Sequence, residues 1–285
     1  MISLYHIALL GRIFLLGLER IAVKDLGRHR DGNTAPFMLF FVATILYIPL
    51  LYFAKIPTDL SVLKYITLCA FIYSFTFTLY VKSMSLGEIS VVGPLYNFNV
   101  FFLLIISTIF LKEKFTIYKL IGISLMVYGS SFLRKKGNIF QSIGHLFKDK
   151  ACQLMMIFSV FLAIGRTFDR YLVQGVDPIF YGFTLYLEMS FILLVYNLLR
   201  KRGRNSLILF KEKPVMSIIA GAINTGAYVC LLFALTKIEV SVAEPAAMLS
   251  MIISMLIAKV IYKEKIGTRL IGVIIMIVGT WLLFI

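Results

Sequence analysis

The sequence predicts an all-α integral membrane protein of ten transmembrane helices, built as two inverted five-helix repeats, and three observations predict it. Hydrophobic residues make up 60% of the chain and charged ones 15%, with a mean hydropathy of +0.92, whereas a soluble domain is about half apolar and about a quarter charged. Apolar stretches of span length, about 20 residues, fall at 4–24, 36–54, 63–83, 88–111, 117–133, 152–174, 179–199, 214–236, 240–261 and 267–285. The chain also repeats itself. Val92-Gly93-Pro94 is answered by Ala243-Glu244-Pro245, Lys112-Glu113-Lys114 by Lys263-Glu264-Lys265, Lys119-Leu120-Ile121-Gly122 by Arg269-Leu270-Ile271-Gly272, and Gly129 by Gly279, at a steady offset of 150–151 positions. An odd number of spans per copy puts the second copy into the bilayer upside down.

The first stretch resembles a signal sequence in hydropathy but lacks a charged start and a small-residue cleavage site, so it is read as a span. It carries Arg12, Glu19 and Arg20. The third holds an aromatic stripe, Tyr73, Phe77 and Tyr80, expected to pack or to face lipid, with a stacking wall as the alternative. The fourth and ninth contain Pro94 and Pro245, each removing a backbone hydrogen bond, so both helices are expected to bend or open there. Run 101–106, Phe-Phe-Leu-Leu-Ile-Ile, is apolar on every face, which excludes the alternating strands of a β-barrel. In the fifth and tenth stretches Gly122, Gly129, Gly272 and Gly279 are expected to let helices approach closely. Residues 1–136 thus form one repeat and 151–285 the other. The basic linker 137–150 joins them and is expected to lie as a short surface helix.

The net charge of +15 does not indicate nucleic acid, because the basic residues sit mostly in connections between apolar stretches. They read as topology signals that also meet anionic lipid headgroups. The odd-numbered connections carry most of them, notably 134–150 and 200–213, which places these in the cytoplasm and both chain ends outside. Cys69, Cys152 and Cys230 form neither a disulfide framework nor a metal motif. His6, His29 and His145 lack zinc-type spacing, and no phosphate loop or activated nucleophile is present. Neither an enzyme nor a cofactor is expected.

The candidate site residues are charges and amides inside the spans. Leu18-Glu19-Arg20 aligns with Phe168-Asp169-Arg170, an acid beside an arginine at equivalent positions of both halves. A charge at a helix centre costs about 2.5–3.5 kcal/mol on translocon scales, so such groups face a polar cavity or one another. Arg170 and Asp169 stand ahead of Glu19 and Arg20 as candidates, although Arg166 and Asp169 can also neutralise each other at i, i+3. Glu188 lies halfway along the seventh span. Glu244 precedes Pro245 where its repeat-mate is Gly93, and a buried carboxylate that exchanges a proton is what a proton-coupled carrier needs. Asn97, Asn224 and Tyr228 complete the set, as ligand contacts or as interhelical hydrogen-bonding groups.

Pro94, Glu113, Gly122 and Gly129, repeated as Pro245, Glu264, Gly272 and Gly279, resemble the tandem domain of the drug/metabolite transporter (DMT) superfamily, in its EamA-type ten-helix branch. That resemblance implies two inverted five-helix halves around a central cavity that moves small metabolites by alternating access, often outward. Combined with the arginines, whose planar fork suits carboxylate or phosphate, it makes the expected function secondary transport of an amino acid, organic acid or phosphate-bearing metabolite across the cytoplasmic membrane. A flippase for a lipid-linked headgroup and a non-transporting membrane interaction protein remain as alternatives, and the sequence is compatible with a homodimer.

Overall fold

The protein's structure, a computed structural model, describes residues 4–28, 34–110, 116–134 and 137–283. The repeat motif at Lys112-Glu113-Lys114 lies outside the described residues. Fourteen α-helices and no strands form the described part. The first half contains α1 (Leu4–Arg28), α2 (Ala35–Tyr47), α3 (Leu63–Leu86), α4 (Ile89–Leu95), α5 (Phe98–Phe110) and α6 (Ile117–Ser130). The linker helix is α7 (Ile139–Lys148). The second half contains α8 (Lys150–Leu172), α9 (Pro178–Leu199), α10 (Gly203–Glu212), α11 (Pro214–Leu235), α12 (Val240–Ala247), α13 (Ser250–Ile261) and α14 (Gly267–Leu282).

Several expected spans are interrupted, each for a backbone reason. After Tyr47 the chain tightens into a 3-10 turn over Ile48–Phe53, where Pro49 cannot donate to an α-helical ladder. Stretch 88–111 divides into α4 and α5 just after Pro94, where the bonds contract to i+3: Tyr96 N donates to Gly93 O at 3.1 Å and Asn97 N to Pro94 O at 3.2 Å. Stretch 240–261 divides in the same place into α12 and α13, with Met248 N to Pro245 O at 3.2 Å and Leu249 N to Ala246 O at 3.2 Å. Linker helix α7 begins with a capping box, Asn138 Oδ1 accepting from Gln141 N at 2.9 Å and Gln141 Oε1 from Asn138 N at 3.3 Å. It buries Leu146 and leaves Phe140 and Phe147 exposed.

Seven helical runs are long and apolar enough to cross a membrane by length and composition: Ala35–Phe53, Leu60–Leu86, Ile89–Ile106, Lys150–Leu172, Pro178–Leu199, Pro214–Leu235 and Val242–Ile261. The other three expected spans differ for two reasons. Helix α1 has the length, 25 residues, but carries Arg12, Glu19, Arg20, Lys24 and Asp25. Helices α6 and α14 have 14 and 16 residues, which reach roughly 21 and 24 Å against a hydrocarbon core of about 30 Å.

The principal packing pairs are exchanged, or map onto themselves, when the two halves are swapped. Helix α1 lies along α11 and α13 while its repeat-mate α8 lies along α3 and α5, and α2 packs on α9 and α6 on α14. The α6–α14 pair runs antiparallel, since Gly122 meets Gly279 and Gly129 meets Gly272. A Cβ on Gly122 would sit 2.5 Å from the Gly279 carbonyl oxygen, and one on Gly129 2.6 Å from that of Gly272. These are the positions where only glycine permits the observed backbone approach. The charged faces of α1 and α8 turn inward, and the helix breaks after Pro94 and Pro245 meet them there.

Candidate functional site

Arg166 of α8 is the hub of the central cluster. Its Nη1 lies 2.7 Å from Asp169 Oδ2 one turn further along the helix. Its Nε lies 3.0 Å from Glu244 Oε1, in ion-pair contact without hydrogen-bond alignment. The guanidinium stands over the rings of Tyr73 and Tyr228, each 5.8 Å from its carbon to the ring centre. Asp169 is wholly buried and accepts three phenolic hydrogen bonds as well, from Tyr73 at 2.6 Å, Tyr181 at 2.6 Å and Tyr228 at 2.9 Å. A carboxylate has about four acceptor positions, so these donors saturate it. Glu244 is less constrained: its Oε2 accepts from Asn99 Nδ2 at 2.8 Å across from the break in the other half.

Beside this hub, Arg12 and Glu19 of α1 form a looser pair at 3.9 Å. A small cavity of about 10 Å³ lies among Arg12, Glu19, Tyr80, Tyr96, Arg166 and Asn224, enough space for about one water molecule. Buried polar atoms around the cluster lack partners, namely Arg12 Nε, Tyr80 OH, and the Oδ1 atoms of Asn97, Asn99 and Asn224. The local medium amplifies each of these charges, because ion interactions are screened far less in a buried site than in water.

A second polar knot closes one end of the bundle. Glu264, just beyond α13, accepts from Lys24 Nζ at 2.8 Å, Ile89 N at 3.0 Å, Ser90 N at 2.8 Å and Ser90 Oγ at 2.7 Å. It therefore ties the end of α1 to the start of α4. Arg269 bonds Glu88 and reaches Ser90 Oγ at 2.6 Å, while Lys24 and Arg28 stand over the Tyr262 ring at 4.9 and 5.2 Å. An open cavity of about 390 Å³ borders this knot, lined by Arg28, Glu88, Tyr262, Lys263, Lys265 and Arg269 among others. Burial raises the Glu264 carboxyl, but hydrogen bonds from Lys24 and Ser90 outweigh it and hold the group below its ordinary value. A depressed carboxyl stabilises the folded, tied form above its unfolded value, and that contribution is lost as pH falls through the folded one. Thermal melts of the purified protein are therefore expected to lose stability on acidification in wild type, and to show a shallower acid loss in Glu264→Gln; parallel acid profiles would contradict this.

The structure brings Glu244, Asp169, Asn224, Tyr228 and Glu19 to the centre. Arg20 is buried beside them, and Asn97 Nδ2 contacts Met251 Sδ at 3.3 Å. Two sequence candidates stand apart. Arg170 is half-buried near the end of α8 and donates to the Leu235 carbonyl of α11, because a residue in the last turn reaches a neighbouring helix end rather than the midpoint. Glu188 is half-buried near Thr67, away from the hub. The aromatic stripe packs inward rather than facing lipid, with Tyr73 buried on Asp169, Tyr80 buried and Phe77 in ring contact with both. Sequence reasoning passed over Arg166 and Arg12 as site residues, and also Asn99, Tyr181 and the Lys24–Glu264 pair. The signal for Arg166 was present in its i, i+3 spacing to Asp169. Among the described residues no cluster of three or more His, Cys, Asp or Glu side chains is placed to hold a metal.

A family model for the EamA-like transporter family matches residues 3–134 and again 149–285. The chain belongs to the EamA-like transporter family. It is accordingly a multi-pass membrane transporter of the DMT superfamily and not an enzyme. A solved structure titled "Crystal structure of protein" is similar over 98% of this chain and 95% of its own, with a TM-score of 0.65 at 11% identity, a likeness of fold alone. No curated protein matches.

Proposed function

We propose that this EamA-like transporter is a secondary carrier of the cytoplasmic membrane. It moves a small polar metabolite bearing a carboxylate or phosphate, such as an amino or organic acid, by alternating access and with a proton as coupling ion. Its ten spans form two inverted five-helix halves, 1–136 and 151–285, joined by the linker 137–150. The antiparallel crossing of the repeat-mates α6 and α14 supports the inversion. The observation that carries the functional reading is the Arg166–Asp169–Glu244 cluster with Arg12 and Glu19. Both halves contribute to it, it lies at the proline breaks, and it surrounds a small cavity. Buried ion clusters are weak sources of stability compared with apolar packing, so their retention at the meeting point of two broken helices fits a site that trades internal partners for a solute. The 10 Å³ cavity is read as the occluded form.

The test is uptake into proteoliposomes of a panel of labelled amino acids, organic acids and sugar phosphates, with and without a proton gradient. Accumulation of at least one member, lost on collapsing the gradient, is expected. Scrambling of a labelled phospholipid in the same vesicles, with no uptake from the panel, would move the reading to a flippase.

A further inference from the structure

Arg20 is a fully buried cation that lacks a direct carboxylate partner among the described residues. Its exposure is 0%, and no carboxylate among the described residues forms an ion pair with it, whereas Arg12, Lys24 and Arg166 each have one. Its Nη1 donates to Ser250 Oγ at 3.0 Å and Ser254 Oγ at 3.4 Å, two neutral groups of α13. Its Nε and Nη2 have no acceptor. Those two nitrogens form the edge of the guanidinium that binds a carboxylate or phosphate through two parallel hydrogen bonds. The flat face is already used, with the carbon 5.2 Å from the centre of the Tyr96 ring. Tyr96 and Tyr80, whose hydroxyl is also unpartnered, line the central cavity, so Arg20 stands directly behind that cavity's wall.

The repeat accounts for the imbalance. The two prolines that break the helices are each preceded by a diagnostic residue, Glu244 in the second half and Gly93 in the first. Glu244 places a carboxylate against Arg166. Gly93 lies against Arg20 and offers none. A Cβ built on Gly93 would meet only Ile89 Cγ2 at 3.7 Å and Arg20 Cδ at 3.9 Å, both ordinary contacts, so close packing does not require glycine there. One half thus carries its own acid at the break, and the other presents an arginine beside a residue without a side chain.

We propose that Arg20 is the specificity-determining residue that takes the solute's anionic group, a carboxylate or a phosphate, on its Nε–Nη2 edge, in the position that Glu244 occupies in the other half. This rests on the carrier reading above. A neutral or purely cationic solute leaves Arg20 unpaired and is discriminated against, since an uncompensated buried charge is costly.

The experiment is the thermal stability of purified wild type, Arg20→Gln, Arg20→Lys and Gly93→Glu, each titrated with acetate, with inorganic phosphate, and with micelles containing phosphatidylglycerol. Wild type is expected to be stabilised by at least one of these anions. Arg20→Gln is expected to weaken that response roughly tenfold or more, the scale of a lost charge-assisted bidentate contact. Arg20→Lys should keep part of it, because a lysine supplies the charge without the fork. Gly93→Glu supplies a tethered carboxylate, so it should melt higher than wild type without added anion and respond little to any. The proposal is overturned if wild type responds to none of the three probes, or if Arg20→Gln and Gly93→Glu respond as wild type does. A response to phosphatidylglycerol alone that depends on Arg20 keeps Arg20 as the anion site but fails the soluble-solute reading, so the two failures are distinguishable.

Discussion

Replacing Arg166 with glutamine is expected to destabilise the protein by about 3–5 kcal/mol, the usual cost of removing one partner from a buried ion pair. The expectation is at the upper end because Arg166 serves two acids. Without it Asp169 keeps three tyrosine donors, but Glu244 keeps only Asn99, and both carboxylates remain out of contact with water. The two rings that flank the guanidinium, Tyr73 and Tyr228, also lose their cation contact. Arg166→Lys should recover part of the loss through its charge. A melting temperature for Arg166→Gln equal to that of wild type would show that the cluster contributes no cohesion.

Glu244→Gln is expected to reduce uptake at least tenfold while leaving the fold largely intact. Arg166 still holds Asp169 at 2.7 Å in this variant, so the hub survives. The changed group has fewer internal bonds than Asp169 and precedes the break after α12, where partners can be exchanged during the transport cycle. A glutamine keeps the shape and loses the charge and the exchangeable proton. Uptake by reconstituted Glu244→Gln at wild-type rate, with the wild-type response to a proton gradient, would make Glu244 a structural residue.

Much of the architecture is legible in the sequence because it rests on periodic or covalent facts. The 150–151 offset marks the two halves, and the missing N–H groups of Pro94 and Pro245 mark where the helices divide. The paired glycines mark the α6–α14 crossing. The site is less legible, because it depends on depth and on long-range partners. Arg166 and Arg170 share a helix face at i, i+4, so helical phase cannot separate them. Only their distance from the end of α8 decides that Arg166 meets Glu244 while Arg170 meets the Leu235 carbonyl. Asp169 is surrounded by hydroxyls from three other helices, a convergence that no local pattern announces. The Lys24–Glu264 tie spans 240 positions. Its glutamate was visible as half of a repeated motif, but the lysine that answers it was visible only as one more charge near the end of a helix.

The central claim is that the cluster around Asn224 is a solute site reached from each side of the membrane in turn. Asn224 lines the central cavity and is itself buried, so it reports on opening from either face. The most direct measurement replaces Cys69, Cys152 and Cys230 with serine or alanine, introduces Asn224→Cys, and exposes oriented vesicles to a membrane-impermeant maleimide from one side or the other. Labelling from both sides, slowed when the closed form is trapped by bound solute, is the predicted result. Labelling from neither side, in a protein that remains folded and inserted, would contradict the account.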